Sequence, residues 1–284
     1  MSIGFLLDSK AINISLREKF RRLPPAVEEV CLRRGRPASY TAGGKTYALD
    51  YTARAGELDE LLMLFTDGSL YAYQSTLCRG YLPLPGGYRL GVAGRGVCEG
   101  GALVGVTDVM TLCLRFPHRV PGVADGIRRR WETDGGQGGL LICGSPGAGK
   151  TTMLRELIHT VSETRRTAVL DSRGELCLDG VGKYVTPLSG YPPALGMEIA
   201  LRTLSPEVLV TDELGEEETR GALTAARCGV PLFASAHGTS RDDLLARESL
   251  RPLFGAGVFR WIVTLSQEGK ERHYTMEKWE CSAF

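Results

Sequence analysis

A glycine-rich segment in the middle of the chain has the residue types needed to hold phosphate groups. Residues 144–151 fit the pattern G-x-x-x-x-G-K-[ST], between an apolar stretch and a helical pattern. Glycines let successive backbone N–H groups turn inward around phosphate oxygens, and a helix N-terminus favours negative charge. Lys150 is placed to reach the β- and γ-phosphates, and the Thr151 hydroxyl to ligate Mg²⁺. The candidate nucleotide-binding residues are Gly144, Ser145, Pro146, Gly147, Ala148, Gly149, Lys150, Thr151 and Thr152.

An acidic pair follows a later apolar run. Residues 208–211 (Val-Leu-Val-Thr) are followed by Asp212 and Glu213. A carboxylate at a rigid strand end suits a Mg²⁺ site, so we predict that Asp212 and Thr151 hold the metal. Glu213 can act as the general base that polarises an attacking water. Taken alone, the pair is as consistent with a plain strand end followed by a solvated acid as with a catalytic site. The phosphate-binding pattern favours hydrolysis of ATP, with Lys150 and Glu213 as catalytic residues.

Two further segments agree with this interpretation. Asp171-Ser172-Arg173-Gly174-Glu175 follows an apolar strand, where doubly wound sheets hold ligands, although a plain polar turn would look the same. His237 also follows a strand and is a candidate sensor of the γ-phosphate, whereas a lone histidine is more often structural.

The elements that must position these residues alternate between strands and helices. The pattern predicts strands over 140–143, 167–171, 208–212, 231–236, 258–265 and 272–278, and helices over 150–161, 216–227 and 241–249. This α/β order predicts a parallel-rich sheet covered on both faces. Residues 1–125 instead predict a smaller α+β domain, with helices over 11–23 and 56–68 and strands over 28–33, 45–50, 80–84, 88–91, 103–106 and 111–116. A Gly-rich linker is expected over 126–139, followed by the ATPase domain over 140–284.

The composition is that of a soluble globular protein. The formal net charge is +1 and hydrophobic residues make up 43%, so there is no strong nucleic-acid signal. We find no signal peptide and no apolar run of the length of a transmembrane segment, which predicts a cytoplasmic protein, peripheral to a membrane at most. No two of the eight cysteines have a C-x-x-C spacing, so we expect reduced thiols.

The order of these motifs resembles that of the secretion ATPases of type II secretion and type IV pili. The N-terminal half narrows the resemblance: residues 28–37 (EEVCLRRGRP) and 86–94 (GGYRLGVAG), with 205–207 (SPE) and 234–238 (ASAHG), are similar to the stage III sporulation protein AA family. The resemblance covers residues 25–280. Three positions depart from it: Ser172 and Gly174 replace residues of the family's acidic box, and Tyr88 stands where histidine is usual.

The resemblance implies a RecA-like P-loop ATPase domain that uses ATP and Mg²⁺. It also implies a homo-hexameric ring, peripheral to the membrane on the mother-cell side, with membrane-anchored sporulation channel proteins as partners. By position it gives Glu175 and His237 catalytic roles. It places the nucleotide under an N-terminal lid and near the next subunit, which makes Arg89, Arg115 and Arg202 candidate lid or trans arginines.

Three alternatives remain open from the residues. The first is a RecA-like ATPase acting on single-stranded nucleic acid, for which the arginines at 33, 34 and 36 permit weak phosphate contacts. The second is a nucleotide-gated scaffold without activity, against which Glu213 argues. The third is a GTPase, which is disfavoured because the chain has no [NT]-K-x-D motif.

Overall fold

Two compact units make up the protein. The computed structural model describes residues 12–172, 174–178, 181–268 and 271–279. The first unit ends at His118 and the second begins at Arg119, so the boundary differs from the expected one at residue 125. Residue 11 of the predicted first helix, Arg173 and Cys281 lie outside the described residues. No helix among the described residues is long and apolar enough to cross a membrane.

The first unit is an antiparallel sheet with helices, as expected for an α+β domain. The six strands lie in the order β3-β2-β1-β6-β5-β4, and every neighbouring pair is antiparallel. The strands are β1 (Val27–Arg33), β2 (Arg36–Ala42), β3 (Lys45–Thr52), β4 (Tyr81–Leu84), β5 (Tyr88–Glu99) and β6 (Ala102–Arg115). The helices are α1 (Ile14–Arg21), α2 (Glu57–Phe65) and α3 (Gln74–Leu77). Leu16, Leu58, Val30 and Leu90 are among the buried residues of its single core cluster.

The strands of the first unit differ from the sequence-based prediction in two places. Residues 36–42, for which no strand is predicted above, form β2, whose mostly half-buried residues lack a clear alternation of apolar side chains. The four short strands expected over 80–116 are instead β4 and the long hairpin of β5 and β6. Glycines 91, 94 and 96 lie inside β5, although the sequence pattern treats them as breaks between short strands. Glycine in a sequence marks a turn and a close backbone approach within a strand equally well.

The expectation of reduced thiols is wrong for one pair of cysteines. Cys31 on β1 and Cys113 on β6 are directly opposite in the antiparallel register and form a disulfide. The residues are 82 positions apart in the sequence, so only the pairing of distant strands brings them together. The other described cysteines, Cys78, Cys98, Cys143, Cys177 and Cys228, are free.

The second unit contains the predicted parallel-rich sheet. Its seven strands lie in the order β13-β12-β7-β11-β10-β8-β9, and all neighbours are parallel except the hairpin of β12 and β13. The strands are β7 (Gly139–Gly144), β8 (Thr167–Leu170), β9 (Val185–Leu188), β10 (Val208–Glu213), β11 (Leu232–His237), β12 (Phe259–Glu268) and β13 (Glu271–Lys278).

Helices cover both faces of this sheet. They are α4 (Asp125–Thr133), α5 (Lys150–Val161), α6 (Pro193–Thr203), α7 (Glu216–Arg227), α8 (Arg241–Ala246) and α9 (Arg251–Gly255). Leu141 and Cys143 of β7 join the core formed with α6 to α9, whereas Leu140 and Ile142 join the core formed with α4 and α5. Because β7 is buried on both faces, it needs a continuous run of apolar residues. That run is the pattern that predicted the strand.

The largest difference between expectation and structure concerns the Gly-rich linker expected over 126–139. Residues 125–133 form α4, and Ile127 and Trp131 are fully buried in the second unit. The sequence analysis did not predict α4, because charged residues surround its two buried apolar residues. Ile127 and Trp131 are four positions apart on one helix face.

The topology brings the ends of four parallel strands to one edge. Strands β7, β11, β10 and β8 are consecutive neighbours in the sheet, and their carboxyl ends are Gly144, His237, Glu213 and Leu170. Ligands of open α/β sheets bind at this edge.

Gly139→Ala should destabilise the second unit, because a Cβ there would lie 2.5 Å from the carbonyl oxygen of Val258 and 2.6 Å from that of Leu232. Both are backbone atoms of neighbouring segments, so we expect a loss of about 1–3 kcal/mol in the free energy of unfolding. All three tryptophans (131, 261 and 279) lie in this unit, so their fluorescence during urea unfolding reports it. Gly255→Ala is the matched control, since a Cβ there meets nothing within 4 Å. Equal destabilisation by both variants would contradict the prediction.

Candidate functional site

The predicted phosphate loop connects β7 to α5. Gly147 and Gly149 have φ angles of 79° and 102°, which side chains rarely adopt, and Gly149 is the residue before the first turn of the helix. The helix begins at Lys150 with no side chain capping it, so its first N–H groups face the loop. This arrangement suits an anion.

The Lys150 ammonium group is held inside this loop. The residue is 8% exposed, and its Nζ donates to the carbonyl oxygens of Gly144 (2.8 Å) and Ser145 (3.0 Å). Burial lowers the pKa of Lys150, while the negative charges of Glu213 and Asp212 act in the opposite direction. The cation is therefore fixed at the position where phosphate oxygens would be bound.

The two predicted metal ligands are in contact. The Thr151 hydroxyl donates to Oδ1 of Asp212 at 3.3 Å, and the Ser235 hydroxyl donates to the backbone carbonyl of Asp212. A hydroxyl and a carboxylate are hard oxygen ligands of the kind that Mg²⁺ prefers. The donor set therefore fits Mg²⁺, and Ser235 holds the strand end that carries the carboxylate.

Glu213 and Lys150 are connected through His237. Oε1 of Glu213 is 3.1 Å from Nε2 of His237, and Nδ1 of the same ring is 3.5 Å from Nζ of Lys150. An ammonium group can only donate, so in this arrangement Nδ1 of the ring is the acceptor and Nε2 is the donor to Glu213. The carboxylate predicted to be the general base is thus oriented by a histidine that the sequence analysis assigned to a different role.

The acidic segment is folded around a buried carboxylate. Asp171 is 2% exposed, and it accepts from the backbone N–H groups of Glu175 (2.8 Å), Leu176 (3.1 Å) and Cys177 (2.9 Å). Burial, with the charge of Asp171, raises the pKa of the Cys177 thiol to about 12. Asp171 is therefore the structural centre of the loop that carries Glu175.

Arg155 is a residue of this site that the sequence analysis missed. Its Nε donates to the carbonyl oxygen of Glu175. Burial lowers the pKa of its guanidinium, and the charges of Glu175, Asp212 and Asp171 oppose that shift. The available signal was spacing, since residue 155 lies one helical turn after Thr151 on the same face.

The three candidate lid or trans arginines lie on other elements. Arg89 and Arg115 are directly paired across β5 and β6 of the first unit. The guanidinium of Arg89 lies over the Tyr81 ring at 4.3 Å, and that of Arg115 is 3.8 Å from the carboxylate of Glu29. Arg202 is exposed on α6 and forms an ion pair with Glu198 at 3.1 Å. Their roles at the nucleotide remain hypotheses.

Asp171→Asn should loosen the acidic loop, because a neutral amide accepts N–H bonds more weakly than a carboxylate. We expect the free energy of unfolding of the second unit to fall by about 1–2 kcal/mol. Urea unfolding followed by tryptophan fluorescence measures it. The exposed Asp242 offers the control, since Asp242→Asn should change the value by less than about 0.5 kcal/mol. An unchanged midpoint for Asp171→Asn would contradict the assigned role.

Two solved structures of other proteins share this fold. The pilus retraction motor PilT with bound ADP aligns over 95% of this chain and 84% of its own, with a TM-score of 0.66 and 15% identity. The ATPase DotB of Legionella pneumophila aligns over 92% of this chain and 78% of its own, with a TM-score of 0.60 and 18% identity. The predicted fold class, a RecA-like domain after a smaller α+β domain, is confirmed.

Proteins related in sequence identify the family more specifically than the shared fold does. Stage III sporulation protein AA of Bacillus subtilis is 32% identical over 260 residues, which cover 85% of this chain and 83% of that protein. Protein SEEDLING PLASTID DEVELOPMENT 1 of Arabidopsis thaliana is 34% identical over 163 residues, which are 52% of this chain and 23% of that protein. The model of the family described as "Sporulation stage III, protein AA" matches residues 7–275. The chain therefore belongs to the stage III sporulation protein AA family.

Proposed function

We propose that the protein is a P-loop ATPase of the secretion-ATPase type, which hydrolyses ATP to ADP and phosphate. The observation that carries the proposal is the contact network at the carboxyl edge of the second sheet. There, Lys150 lies inside the phosphate loop, Thr151 contacts Asp212, and His237 joins Glu213 to Lys150. The groups that would bind phosphate, hold the metal and activate water thus lie together at this edge of the sheet.

Phosphate binding uses the loop and the cation inside it. The backbone N–H groups at the start of α5 and the Lys150 ammonium group provide the donors for the β- and γ-phosphates. On binding, Lys150 exchanges its bonds with the Gly144 and Ser145 carbonyls for bonds to phosphate oxygens. Its positive charge, already partly desolvated by burial, then stabilises the charge that develops on the transferred group.

Thr151 and Asp212 are the residues that would hold Mg²⁺. When bound, the ion would neutralise part of the negative charge of the phosphate groups. Ser235 holds the backbone of Asp212, and Arg155 balances the acidic charge of Glu175, Asp212 and Asp171 beside it.

Glu213 activates the attacking water. Its carboxylate accepts a hydrogen bond from the His237 ring, which fixes its orientation at the end of β10. The water donates one proton to Glu213 as its oxygen forms a bond to the γ-phosphorus. The bond from that phosphorus to the oxygen bridging the β- and γ-phosphates breaks, and ADP leaves with the bridging oxygen. The second bond of the ring, to Lys150, connects the base to the phosphate-binding cation, so His237 responds to whether Lys150 is bound to phosphate.

We further infer that ATP turnover drives assembly of, or transport through, a membrane-bound sporulation channel. Membership of the sporulation family and the shared fold with the pilus retraction motor PilT and the ATPase DotB support this role. In this proposal the protein works as a homo-hexamer on the mother-cell face of the membrane, with membrane-anchored channel proteins as its partners.

Glu213→Gln should reduce turnover by about 10²–10⁴-fold, the usual contribution of a general base. Nucleotide affinity should stay near the wild-type value, because the substitution leaves the phosphate loop intact. Lys150→Ala should instead weaken binding, since it removes the only cation of residues 144–151. Release of inorganic phosphate and equilibrium binding of ADP, measured on the same samples, separate the two effects. Near-wild-type turnover by Glu213→Gln would refute its assignment.

Arg89 and Arg115 should act on the nucleotide of a neighbouring subunit. We expect the double variant Arg89→Ala/Arg115→Ala to lose most of its turnover, because arginine stabilises the charge that develops on the γ-phosphoryl group. Mixing it with Glu213→Gln should restore part of the activity, since some sites then combine an intact Glu213 with arginines from the neighbour. The exposed arginines 36 and 79 give a matched control double variant. A mixture without any gain in phosphate release at any ratio would contradict action in trans.

A further inference from the structure

The disulfide of the first unit lies on the face of the sheet that does not form the core. Strands β1 and β6 pair in regular antiparallel register over residues 29–33 and 111–115. Alternate residues of the two strands belong to the core cluster: Val30, Leu32, Leu112 and Leu114. Since successive side chains of a strand point to opposite faces, Cys31 and Cys113 face away from that core. The two strands are thus held together by their backbone ladder and their apolar face as well as by the sulfur–sulfur bond.

One sulfur of the pair is open to attack. Cys113 is partly exposed, whereas Cys31 is 6% exposed. On β5 the residue opposite Cys113 is Gly91, so no side chain projects beside the sulfur from that position. A Cβ built on Gly91 would lie 3.5 Å from the carbonyl oxygen and 3.6 Å from Cβ of Cys113, which are ordinary contacts. A larger residue would therefore fit there, and the glycine leaves the Cys113 side of the bond uncovered.

Charged groups on the same face suit thiol chemistry. The Arg33 guanidinium donates to the Ser39 hydroxyl at 2.9 Å, and Ser39 is the residue opposite Cys31 on β2. Sγ of Cys31 lies 3.5 Å from Oε1 of Glu29, a distance at which a thiol donates to a carboxylate. A nearby cation stabilises the thiolate that forms when a disulfide breaks. Both the thiolate and the thiol of a reduced Cys31 thus have a suitable neighbour on this face.

We infer that Cys31 and Cys113 form a reversible thiol–disulfide site, opened by a dithiol that attacks Cys113, which controls the stability of the central strand pair of the first unit. In one respect it rests on the proposed function, which places the chain inside the cell, where disulfides are usually transient or redox-sensing. The bond joins residues 82 positions apart, on the two strands at the middle of the sheet. Closing so long a loop strongly restricts the unfolded chain, so breaking the bond should loosen this strand pair.

The reaction is an exchange of sulfur–sulfur bonds. A thiolate of the dithiol attacks Sγ of Cys113, a mixed disulfide forms, and Cys31 leaves as a thiolate that takes up a proton. The second thiol of the reagent then attacks the reagent's own sulfur in the mixed disulfide and releases Cys113. The protein disulfide gains two electrons and two protons, and the dithiol is oxidised to its own disulfide. Because β1 and β6 keep the two thiols opposite each other, a disulfide reagent reverses the exchange.

Dithiothreitol and glutathione disulfide test this reaction on the folded full chain. We expect dithiothreitol to open the Cys31–Cys113 bond without denaturant and glutathione disulfide to close it again. Alkylation followed by peptide mass mapping measures the reduced fraction of each cysteine, and tryptophan fluorescence shows that the second unit stays folded. A bond that opens only in urea would be a permanent structural crosslink, and a pair that stays reduced in glutathione disulfide would be no redox site. Either result overturns the inference.

Gly91→Val tests the path of attack. The valine side chain would cover Cys113 from β5, so we expect dithiothreitol to reduce the bond about fivefold or more slowly. Ala93→Val is the matched control, because Ala93 is an exposed residue of the same strand that pairs with Thr111 instead of a cysteine. Circular dichroism verifies that both variants keep their secondary structure. Equal rates of reduction for the two folded variants would contradict attack at Cys113.

Hydrogen exchange measures what the bond controls. We expect reduction to speed amide exchange in β1 and β6 by about tenfold or more, while the strands of the second unit keep their rates. The double variant Cys31→Ser/Cys113→Ser should exchange like the reduced wild type and show no response to dithiothreitol. Cys98→Ser is the control, since Cys98 is an exposed free cysteine of β5, and it should respond as the wild type does. Equal exchange in the oxidised and reduced wild type would mean that the bond controls nothing, which would also overturn the inference.

None of these measurements uses ATP, so their outcomes are separate from those that test turnover. If the bond does not open and close reversibly while the wild type hydrolyses ATP, the inference fails and the proposed function stands. If the bond behaves as expected and the wild type hydrolyses no ATP, the proposed function fails and the thiol–disulfide site stands.

Discussion

Burial of a single ammonium group organises the candidate site. A lysine that is 8% exposed needs compensating oxygen or nitrogen acceptors, because desolvation penalises its charge. The carbonyls of Gly144 and Ser145 and the ring of His237 provide them. The loop conformation, the tautomer of the histidine and the orientation of Glu213 all depend on this arrangement. A phosphate that binds Lys150 therefore changes the contacts of the group that would activate water.

Helix α5 connects the parts of the second unit around that cation. Its first residues, Lys150 and Thr151, belong to the candidate site, and one turn later Arg155 binds the acidic loop that Asp171 folds. The adjacent Glu156 points to a different side and holds the segment that begins at Arg119. Since these side chains share one rigid helix, a shift of α5 on nucleotide binding would reach the acidic loop and the start of the unit together. This arrangement is a physical connection from the predicted phosphate loop to both segments.

The first unit is held together by different interactions. Its antiparallel sheet is held by one apolar core and by a disulfide between the paired strands β1 and β6. The same pairing of β6 with β5 sets Arg89 directly opposite Arg115. Two like charges in direct cross-strand register disfavour folding unless other groups compensate, and the Tyr81 ring and the Glu29 carboxylate do so here.

The sequence by itself determined the parts of the protein that depend on local pattern. The phosphate loop, helices 150–161 and 216–227, and the buried central strands follow from motif spacing and periodicity, because strands buried on both faces must be apolar throughout. Edge strand β9 and helix α6 were missed, since β9 is short and mostly exposed and α6 begins at a proline, which a first helical turn tolerates. The tertiary structure alone decided which distant groups meet. The Cys31–Cys113 disulfide, the bond between His237 and Glu213, and the approach of Arg272 to Gly149 each depend on strand order in a sheet. No local pattern encodes that order, because the residues involved are brought together only when whole strands and helices bury their apolar faces against one another.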